Sequence, residues 1–210
     1  MIELYGSPTQ SACTIAIMLE EIGLNYSLFP ITRGGNAQLE FELVKQPPNN
    51  VFPLILDREG PGNKPFVIFE SGAILLYLAE KTGQLIPKKS TDKFDVLQWL
   101  LFENSKIGPT LGNTKHFMYH APEEIPYALK RFNNETKRIF NIIDTQLAEN
   151  SFLAGDYSIA DIATFPWVKE YERYGVLSDN IPHICEWLNT LDKREAVQKG
   201  MEAVETLKEV

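Results

Sequence analysis

A proline at the start of a short apolar run constrains the fold of this chain more than any other feature. Pro53 directly precedes Leu54-Ile55-Leu56. Because proline has no N–H, it fits poorly inside a central strand but well at a strand's first residue. Proline also tolerates a cis peptide bond, which costs ~3 kcal/mol before any other residue. Such a bond turns the backbone N–H and C=O of Phe52 outward, where they can pair with a peptide-like ligand.

A helix start follows the next predicted strand. Val67-Ile68-Phe69 predicts a strand, and Glu70-Ser71 opens a helix that continues through 72–78. Ser71 is a good N-cap residue, and a helix N-terminus attracts anions such as a carboxylate. Two backbone groups at a turned proline, beside such a helix start, suit a small peptide with a free carboxyl group. Glutathione is the obvious candidate.

The first half of the chain alternates between strand and helix patterns. A strand, a helix, a second strand and a short helix are predicted at 2–5, 12–22, 26–31 and 39–45. The βαβ unit implies parallel pairing of its strands. An antiparallel hairpin with a long loop at 58–63 comes next, and the helix from Ser71 runs to Lys81, with Gly83 stopping it. The order β-α-β-α-β-β-α is the thioredoxin-like arrangement.

The second half of the chain predicts helices only. A polar segment with Pro87-Lys88-Lys89-Ser90 marks a domain boundary. We therefore predict an α/β thioredoxin-like domain over 1–83, a linker over 84–91 and an all-α domain over 92–210.

Three local signals describe this helical half. The longest helix is predicted from Ile125 or Pro126 to about Glu149, and the segment 107–112 is expected to break the helix before it. Ser158-Ile159-Ala160-Asp161 has the pattern of a capping box with aspartate at its last position. We expect Asp161 to be structural rather than catalytic.

Composition and charge exclude several classes of protein. The formal net charge of −8 argues against nucleic acid or an anionic membrane as a partner. No apolar run reaches about 18 residues, so no membrane span is predicted. The N-terminus lacks the basic lead and apolar core of a signal peptide, so a cytoplasmic location is expected. Cys13 and Cys185 form no C-x-x-C pair, and we expect no disulfide framework and no metal.

Several motifs together resemble the glutathione transferase superfamily. Pro53 after an apolar residue, with the run from Glu70 to Leu78, resembles its thioredoxin-like half. The Nu-class members, which are bacterial glutathione-dependent disulfide-bond oxidoreductases, have motifs similar to Tyr5-Gly6-Ser7-Pro8-Thr9, Pro48-Asn49-Asn50, Ile125-Pro126-Tyr127-Ala128 and Tyr157-Ser158-Ile159-Ala160-Asp161. The resemblance runs nearly end to end. It implies the glutathione transferase fold, a homodimer, and two glutathiones or one glutathione disulfide per subunit.

The first βα loop holds the predicted reactive position. In a thioredoxin-like fold, a thiol at the start of the first helix is made acidic by the helix dipole. The loop 7–13 contains no C-x-x-C, so the reactive thiol must arrive with the ligand. Thr9 and Ser11 carry hydroxyls that can donate to a glutathione sulfur. The resemblance points to Thr9 as the main donor. The Nu-class pattern has asparagine where this chain has Ser11, a change that keeps a donor but shortens the side chain.

Each of these hydroxyls has an alternative role. Thr9 and Ser11 can simply cap the first helix. Tyr5 ends the first strand, where several other classes of the superfamily carry a catalytic tyrosine, although strand tyrosines are more often packing residues. Cys13 is expected to be a small buried residue of the first helix.

The resemblance also implies the residues that bind glutathione. Phe52, just before Pro53, would offer its main chain to the cysteinyl part of the ligand. Glu70 would pair with the γ-glutamyl ammonium, and Ser71 would bind the γ-glutamyl carboxylate. Other family positions that contact the ligand match Gln38, Asn50 and Arg131. Candidates to face a second glutathione are Asn113 and His116.

Three functions are consistent with the sequence. The first is an enzyme that reduces small disulfides with bound glutathione thiolate. The second is a conventional glutathione transferase, in which Ser11 or Tyr5 holds the thiolate and an electrophile is conjugated. The third is a non-catalytic module that binds glutathione or a protein partner, since a fold alone does not settle function.

Overall fold

The computed structural model describes residues 1–31 and 52–209. The chain divides into two compact units, one of residues 1–84 with 193–210 and one of residues 85–192. The first is an α/β unit and the second is helical, as the sequence predicts. The short helix predicted at 39–45 lies outside the described residues.

The described strands form one sheet with the order β2-β1-β3-β4. They are β1 (Ile2–Gly6), β2 (Tyr26–Pro30), β3 (Leu54–Asp57) and β4 (Phe66–Phe69). β1 runs parallel to β2 and antiparallel to β3, and β3 and β4 form an antiparallel pair. The parallel βαβ unit and the hairpin predicted from the sequence are both confirmed.

Helices make up most of the remaining described chain. They are α1 (Gln10–Glu21), α2 (Ser71–Thr82), α3 (Ser90–Phe102), α4 (Gly108–Tyr119), α5 (Pro126–Glu149), α6 (Ile159–Val168), α7 (Pro182–Asp192) and α8 (Glu195–Glu205). Short 3₁₀ turns lie at Pro61–Asn63, Tyr171–Tyr174, Ser178–Asn180 and Thr206–Glu209. Gly83 ends α2 in a left-handed conformation, with φ of 69°, as expected of a helix C-cap glycine.

The last helix packs against the first one. A Cβ atom on Gly200 of α8 would lie 2.5 Å from the backbone nitrogen of Ile17 in α1. Arg194, just before α8, donates two hydrogen bonds of 2.7 and 2.8 Å to the buried carboxylate of Glu21. Residues 193–210, predicted from the sequence to belong to the all-α domain over 92–210, therefore group with the α/β unit.

The helix expected to break at 107–112 continues instead. A π turn, Glu103–Ile107, joins α3 directly to α4. Pro109 lies in the first turn of α4. The prediction of a break was wrong because the π turn, in which the Gly108 N–H bonds to the Glu103 carbonyl five residues back, carries the helix past Pro109.

The capping box at α6 is present and is part of a buried network. The Asp161 side chain, which is fully buried, accepts hydrogen bonds from the backbone N–H groups of Ser158 and Leu153, each at 3.0 Å. It also accepts one from the indole N–H of Trp187 at 3.1 Å. Asp161 thus joins the start of α6 to the loop before it and to α7, which is the structural role expected of it.

Candidate functional site

Three backbone features of the α/β unit converge at one end of its sheet. Leu54 of β3 pairs with Phe69 of β4. Pro53 directly precedes Leu54, and Glu70 directly follows Phe69. Pro53 and Glu70 are therefore neighbours across the antiparallel pair. A Cβ atom on Gly6, the last residue of β1, would lie 3.9 Å from the Pro53 Cβ and 3.3 Å from a side chain in the first turn of α1. The start of α1, the turn before β3 and the start of α2 thus form one site.

The peptide bond between Phe52 and Pro53 is cis. Proline permits this conformation, as the sequence indicates at Pro53. Phe52 lies before β3, which begins at Leu54, and its side chain is half-buried against the sheet. The main chain of Phe52 is thus at the edge of the site, where a peptide-like ligand can reach it.

The start of α2 differs by one residue from the sequence expectation. Glu70, rather than Ser71, is the N-cap residue, and Ser71 is the first residue of the helix. Glu70 has a φ of 68°, a conformation that costs a non-glycine residue roughly 1–3 kcal/mol and that concentrates at ligand sites. The first N–H groups of a helix have no partner within it, so this end can bind an anion.

A buried carboxylate holds α2 against β3. Asp57, the last residue of β3, is fully buried. It accepts hydrogen bonds from the Tyr77 hydroxyl at 2.6 Å, from the backbone N–H of Glu59 at 2.9 Å, and from the Lys81 ammonium. Burial alone would raise the pKa of Asp57, but the bonds from Lys81 and Tyr77 outweigh it and lower the pKa below its usual range. This network fixes the position of α2 and therefore of its anion-binding end.

The Thr9 hydroxyl caps α1 and still has a proton to donate. Thr9 is the N-cap residue, and its Oγ1 accepts a hydrogen bond of 3.3 Å from the backbone N–H of Ala12. Accepting uses a lone pair, so the hydroxyl hydrogen stays available for a ligand atom. Thr9 is exposed, Ser11 is half-buried in the first turn of α1, and Cys13 is buried, as expected.

The Tyr5 hydroxyl forms a hydrogen bond within the protein. It donates a hydrogen bond of 2.6 Å to the buried carboxylate of Glu3, which also accepts 2.7 Å from Arg58. The Tyr5 ring stacks on Phe29 with centroids 4.9 Å apart. Burial acts to raise the pKa of Glu3, yet Arg58 and Tyr5 lower it overall, so this carboxylate stays ionised between its two partners. The geometry disfavours the alternative in which Tyr5 activates a sulfur.

Arg131 lines a separate cleft within the helical unit. The cleft has a volume of about 620 Å³ and lies between α4, with the π turn before it, and α5. Asn113, one of the candidates for a second ligand site, also lines this cleft. His116 is exposed on α4, and its ring packs edge-on against Phe117. Gln38 and Asn50, predicted to contact glutathione, lie outside the described residues.

Sequence reasoning missed two cations of this cleft. Lys106 and Arg138 line it together with Arg131. Arg131, Glu135 and Arg138 lie at i, i+4 and i+7, so helical spacing could have indicated one charged face of α5. Lys106 comes from the π turn, and no local signal in the sequence links it to that face.

Residues 1–31 and 52–209 contain neither a metal-binding cluster nor a membrane-spanning helix. No group of three or more His, Cys, Asp or Glu side chains in these ranges is arranged to hold a metal ion. No helix there is both long and apolar enough to cross a membrane.

Family models match both units of the chain. Residues 1–80 match the model of the glutathione S-transferase N-terminal domain, and residues 109–195 match that of the C-terminal domain. The chain is 38% identical over 203 residues to the disulfide-bond oxidoreductase YfcG of Escherichia coli (strain K12), covering 96% of this chain and 94% of that protein.

Solved structures of glutathione transferases are also similar to this chain. A glutathione transferase from Pseudomonas putida, with one glutathione disulfide bound per subunit, superposes with a TM-score of 0.87 at 40% identity. That match covers 95% of this chain and 90% of the other. A family member from Pseudomonas fluorescens pf-5, with two glutathiones bound, superposes with a TM-score of 0.88 at 39% identity, covering 96% and 92% of the two chains.

Proposed function

Because the chain belongs to the glutathione S-transferase family, we propose that it is an enzyme, a glutathione-dependent disulfide-bond oxidoreductase. One observation carries the proposal: the start of α1 presents the exposed hydroxyl of Thr9 and no C-x-x-C pair. The site therefore has the means to stabilise a thiolate but no dithiol of its own in that loop. Glutathione, as co-substrate, supplies the thiol.

Glutathione is proposed to bind to both the turn before β3 and the start of α2. The main chain of Phe52, beside Pro53, pairs with the cysteinyl part of the ligand. The first N–H groups of α2, with the Ser71 hydroxyl, bind the γ-glutamyl carboxylate, and Glu70 pairs with the γ-glutamyl ammonium. Further contacts are proposed for Gln38, Asn50 and Arg131.

The thiolate is proposed to form at the start of α1. A hydrogen bond from the Thr9 hydroxyl and the positive end of the α1 dipole both favour the ionised sulfur. Each unit by which the thiol pKa falls below ~8.5 requires about 1.4 kcal/mol, so these two interactions supply one or two units. Ser11, half-buried in the first turn of α1, is proposed as a second donor.

The reaction is a pair of thiol–disulfide exchanges. The glutathione thiolate attacks one sulfur of the substrate disulfide, forming a mixed disulfide and releasing one substrate thiolate. A second glutathione thiolate attacks the glutathione sulfur of the mixed disulfide and releases the other substrate thiolate. Two protons from the two glutathione thiols end on the two substrate thiols, and the oxidised product is glutathione disulfide.

Paired substitutions at Thr9 test this proposal. Thr9→Val removes the hydroxyl, whereas Thr9→Ser keeps both the hydroxyl and the helix cap. We expect kcat/KM for reduction of bis(2-hydroxyethyl) disulfide to fall roughly 10- to 100-fold in Thr9→Val, about 1.4–2.8 kcal/mol, and to stay within a few-fold in Thr9→Ser. Full activity of a folded Thr9→Val protein would contradict the role of Thr9.

A substrate panel separates the remaining alternatives. Strong conjugation of an aryl halide with little disulfide reduction would favour the conventional transferase. Binding of glutathione without turnover of either substrate class would favour the non-catalytic module.

We further propose that the enzyme acts as a homodimer in the cytoplasm. Phe94 and Leu101, two turns apart on α3, are 61% and 63% exposed, and such exposed apolar side chains favour a protein contact. The reaction consumes reduced glutathione, which the cytosol maintains. Sedimentation velocity tests the dimer, and Leu101→Asp is expected to shift it toward monomer.

A further inference from the structure

One residue, Glu70, connects β4 to α2, and its backbone is strained. Its φ of 68° lies in a region that residues with a Cβ atom rarely adopt. Such strain persists only where the surrounding structure holds the residue in place. If Glu70 relaxed, α2 would turn relative to β4, and the helix N-terminus and the Glu70 side chain would leave the positions proposed to bind glutathione. Contacts elsewhere on α2 must therefore hold the helix.

The polar contacts that hold α2 lie at the opposite end of the sheet from the site. Tyr77 and Lys81 of α2 both donate to the buried carboxylate of Asp57. Asp57 ends β3, about 10 Å along the strand from Leu54 at the site. Tyr77 and Lys81 lie about 9 and 15 Å along the helix from Ser71. Helix and strand therefore run side by side, with the site at one end. Asp57, Tyr77 and Lys81, which we call the α2 anchor, are at the other end.

The α2 anchor restricts the helix more closely than apolar packing does. Apolar contacts are non-directional, whereas a hydrogen bond weakens steeply as its angle departs from linearity. The Tyr77 hydroxyl lies 2.6 Å from the Asp57 carboxylate, and burial and this bond raise the pKa of Tyr77, so the hydroxyl keeps its proton. The Lys81 ammonium also donates to the Glu59 carbonyl at 2.7 Å. Because Asp57 is fully buried, loss of either donor leaves its charge poorly compensated, and we expect α2 to shift.

We propose that Tyr77 and Lys81 are positioning residues for glutathione, which act through Asp57 to hold Glu70 and the N-terminus of α2 in the binding geometry. The proposal rests on the proposed function, because it takes the γ-glutamyl end of glutathione to bind at α2. It adds a division of roles within the site. The α2 anchor determines how tightly glutathione binds, whereas the start of α1 determines the acidity of the glutathione thiol.

Tyr77→Phe and Tyr5→Phe form a matched pair of variants. Each removes a hydroxyl that donates a hydrogen bond of 2.6 Å to a buried carboxylate of the same sheet, Asp57 for Tyr77 and Glu3 for Tyr5. Asp57 bonds to α2, whereas the partners of Glu3 are Tyr5 and Arg58, which lie outside α2. We expect both variants to lose a similar amount of thermal stability. An effect on glutathione that only Tyr77→Phe shows is therefore due to the position of α2.

Isothermal titration calorimetry measures the binding of glutathione to the wild type and to both variants. We expect the Kd for glutathione to be about tenfold higher in Tyr77→Phe, which corresponds to ~1.4 kcal/mol, and within about twofold of the wild-type value in Tyr5→Phe. In disulfide reduction, Tyr77→Phe should raise KM for glutathione, while kcat at saturating glutathione stays within about twofold. The thiol pKa of bound glutathione should stay at its wild-type value. Equal Kd values in the two variants would overturn the positioning role and leave the proposed function intact.

Variants of Lys81 give an independent test with a control for charge. Lys81→Met removes the ammonium and should also raise the Kd for glutathione about tenfold. Lys81→Arg keeps a cation beside Asp57 and should bind glutathione more tightly than Lys81→Met. Lys64→Met removes the same charge from an exposed position in the hairpin between β3 and β4, and it should bind as the wild type does. An equal rise of Kd in Lys81→Met and Lys64→Met would reveal an effect of net charge and overturn the assignment of Lys81.

The binding measurement also separates the positioning role from the proposed function. If the wild type binds glutathione but reduces no disulfide, the proposed function fails, and the Kd values alone decide whether the α2 anchor positions the ligand. If Tyr77→Phe and Lys81→Met bind glutathione as tightly as the wild type, the positioning role fails whatever the turnover. A wild type that does not bind glutathione would overturn both.

Discussion

The hydroxyls of Tyr5 and Thr9, both near the end of β1, differ in their hydrogen bonds. The Tyr5 hydroxyl donates to the buried Glu3 carboxylate at 2.6 Å. The Thr9 oxygen instead accepts from the backbone of α1 and keeps its proton for a ligand. Residue type alone made both plausible donors to sulfur, but their hydrogen bonds distinguish them.

Tyr5→Phe tests this distinction. The substitution removes the hydrogen bond to Glu3 and keeps the ring that stacks on Phe29. Because the lost bond goes to a charged, buried group, we expect the free energy of unfolding to fall by roughly 1–3 kcal/mol. Disulfide reduction should stay within about twofold of wild type. Loss of activity as large as that of Thr9→Val, in a protein that remains folded, would place Tyr5 at the sulfur instead.

A buried acid makes stability depend on pH. Glu103, in the π turn, is only 4% exposed, and burial raises its pKa to about 7, partly offset by a hydrogen bond from Asn104. Between its ordinary value of 4.5 and about 7, the folded state binds more protons than the unfolded state. Stability attributable to Glu103 is therefore present below that window and lost as pH rises through it, by roughly 3 kcal/mol in all.

Glu103→Gln should flatten this dependence. The amide keeps the size of the side chain and an acceptor for Asn104 but cannot ionise. We expect the variant to gain stability relative to wild type as pH rises from about 5 to about 8, as measured by urea unfolding. Asp161, whose pKa burial raises to about 6, titrates in both proteins, so the difference between the two curves isolates Glu103. Parallel curves would show that Glu103 does not titrate in this range.

At the scale of elements, the start of α6 depends on one side chain. Asp161 accepts hydrogen bonds from Ser158, Leu153 and Trp187 in a buried site. Asp161→Asn replaces one acceptor with an NH₂ group that faces those donors. We expect a loss of at least ~2 kcal/mol, more than a simple helix cap provides, because buried donors lose their partner. Urea unfolding measures it, and an unchanged midpoint would contradict the network.

The contact between α8 and α1 makes a second prediction at this scale. Gly200→Ala would place a methyl group 2.5 Å from the Ile17 backbone, which cannot move without shifting α1. We expect a loss of several kcal/mol, on the order of 3, as for other overpacked sites. Gly112→Ala is the matched control, because nothing lies within 4 Å of a Cβ on Gly112. A melting temperature for Gly200→Ala equal to that of the control would show that α8 does not pack this closely.

At the scale of the whole molecule, the features predicted correctly have local signals. Pro53 before an apolar run and Gly83 at a helix end are determined by the conformations that their own backbones allow. The π turn and the packing of Gly200 on Ile17 were missed because they depend on contacts between distant parts of the chain. The same is true of Lys106, which only the packing of the π turn against α5 brings to the cleft that Arg131 lines.

The thiol pKa of bound glutathione tests the central claim, that the protein supplies acidity and the ligand supplies sulfur. Thiolate absorbance of the protein–glutathione complex, titrated with pH, reports it directly. We predict a thiol pKa one to two units below the free value of ~8.5 in wild type and Thr9→Ser, and about one unit higher in Thr9→Val than in wild type. Glutathione that binds with an unshifted thiol pKa, or does not bind at all, would contradict the account.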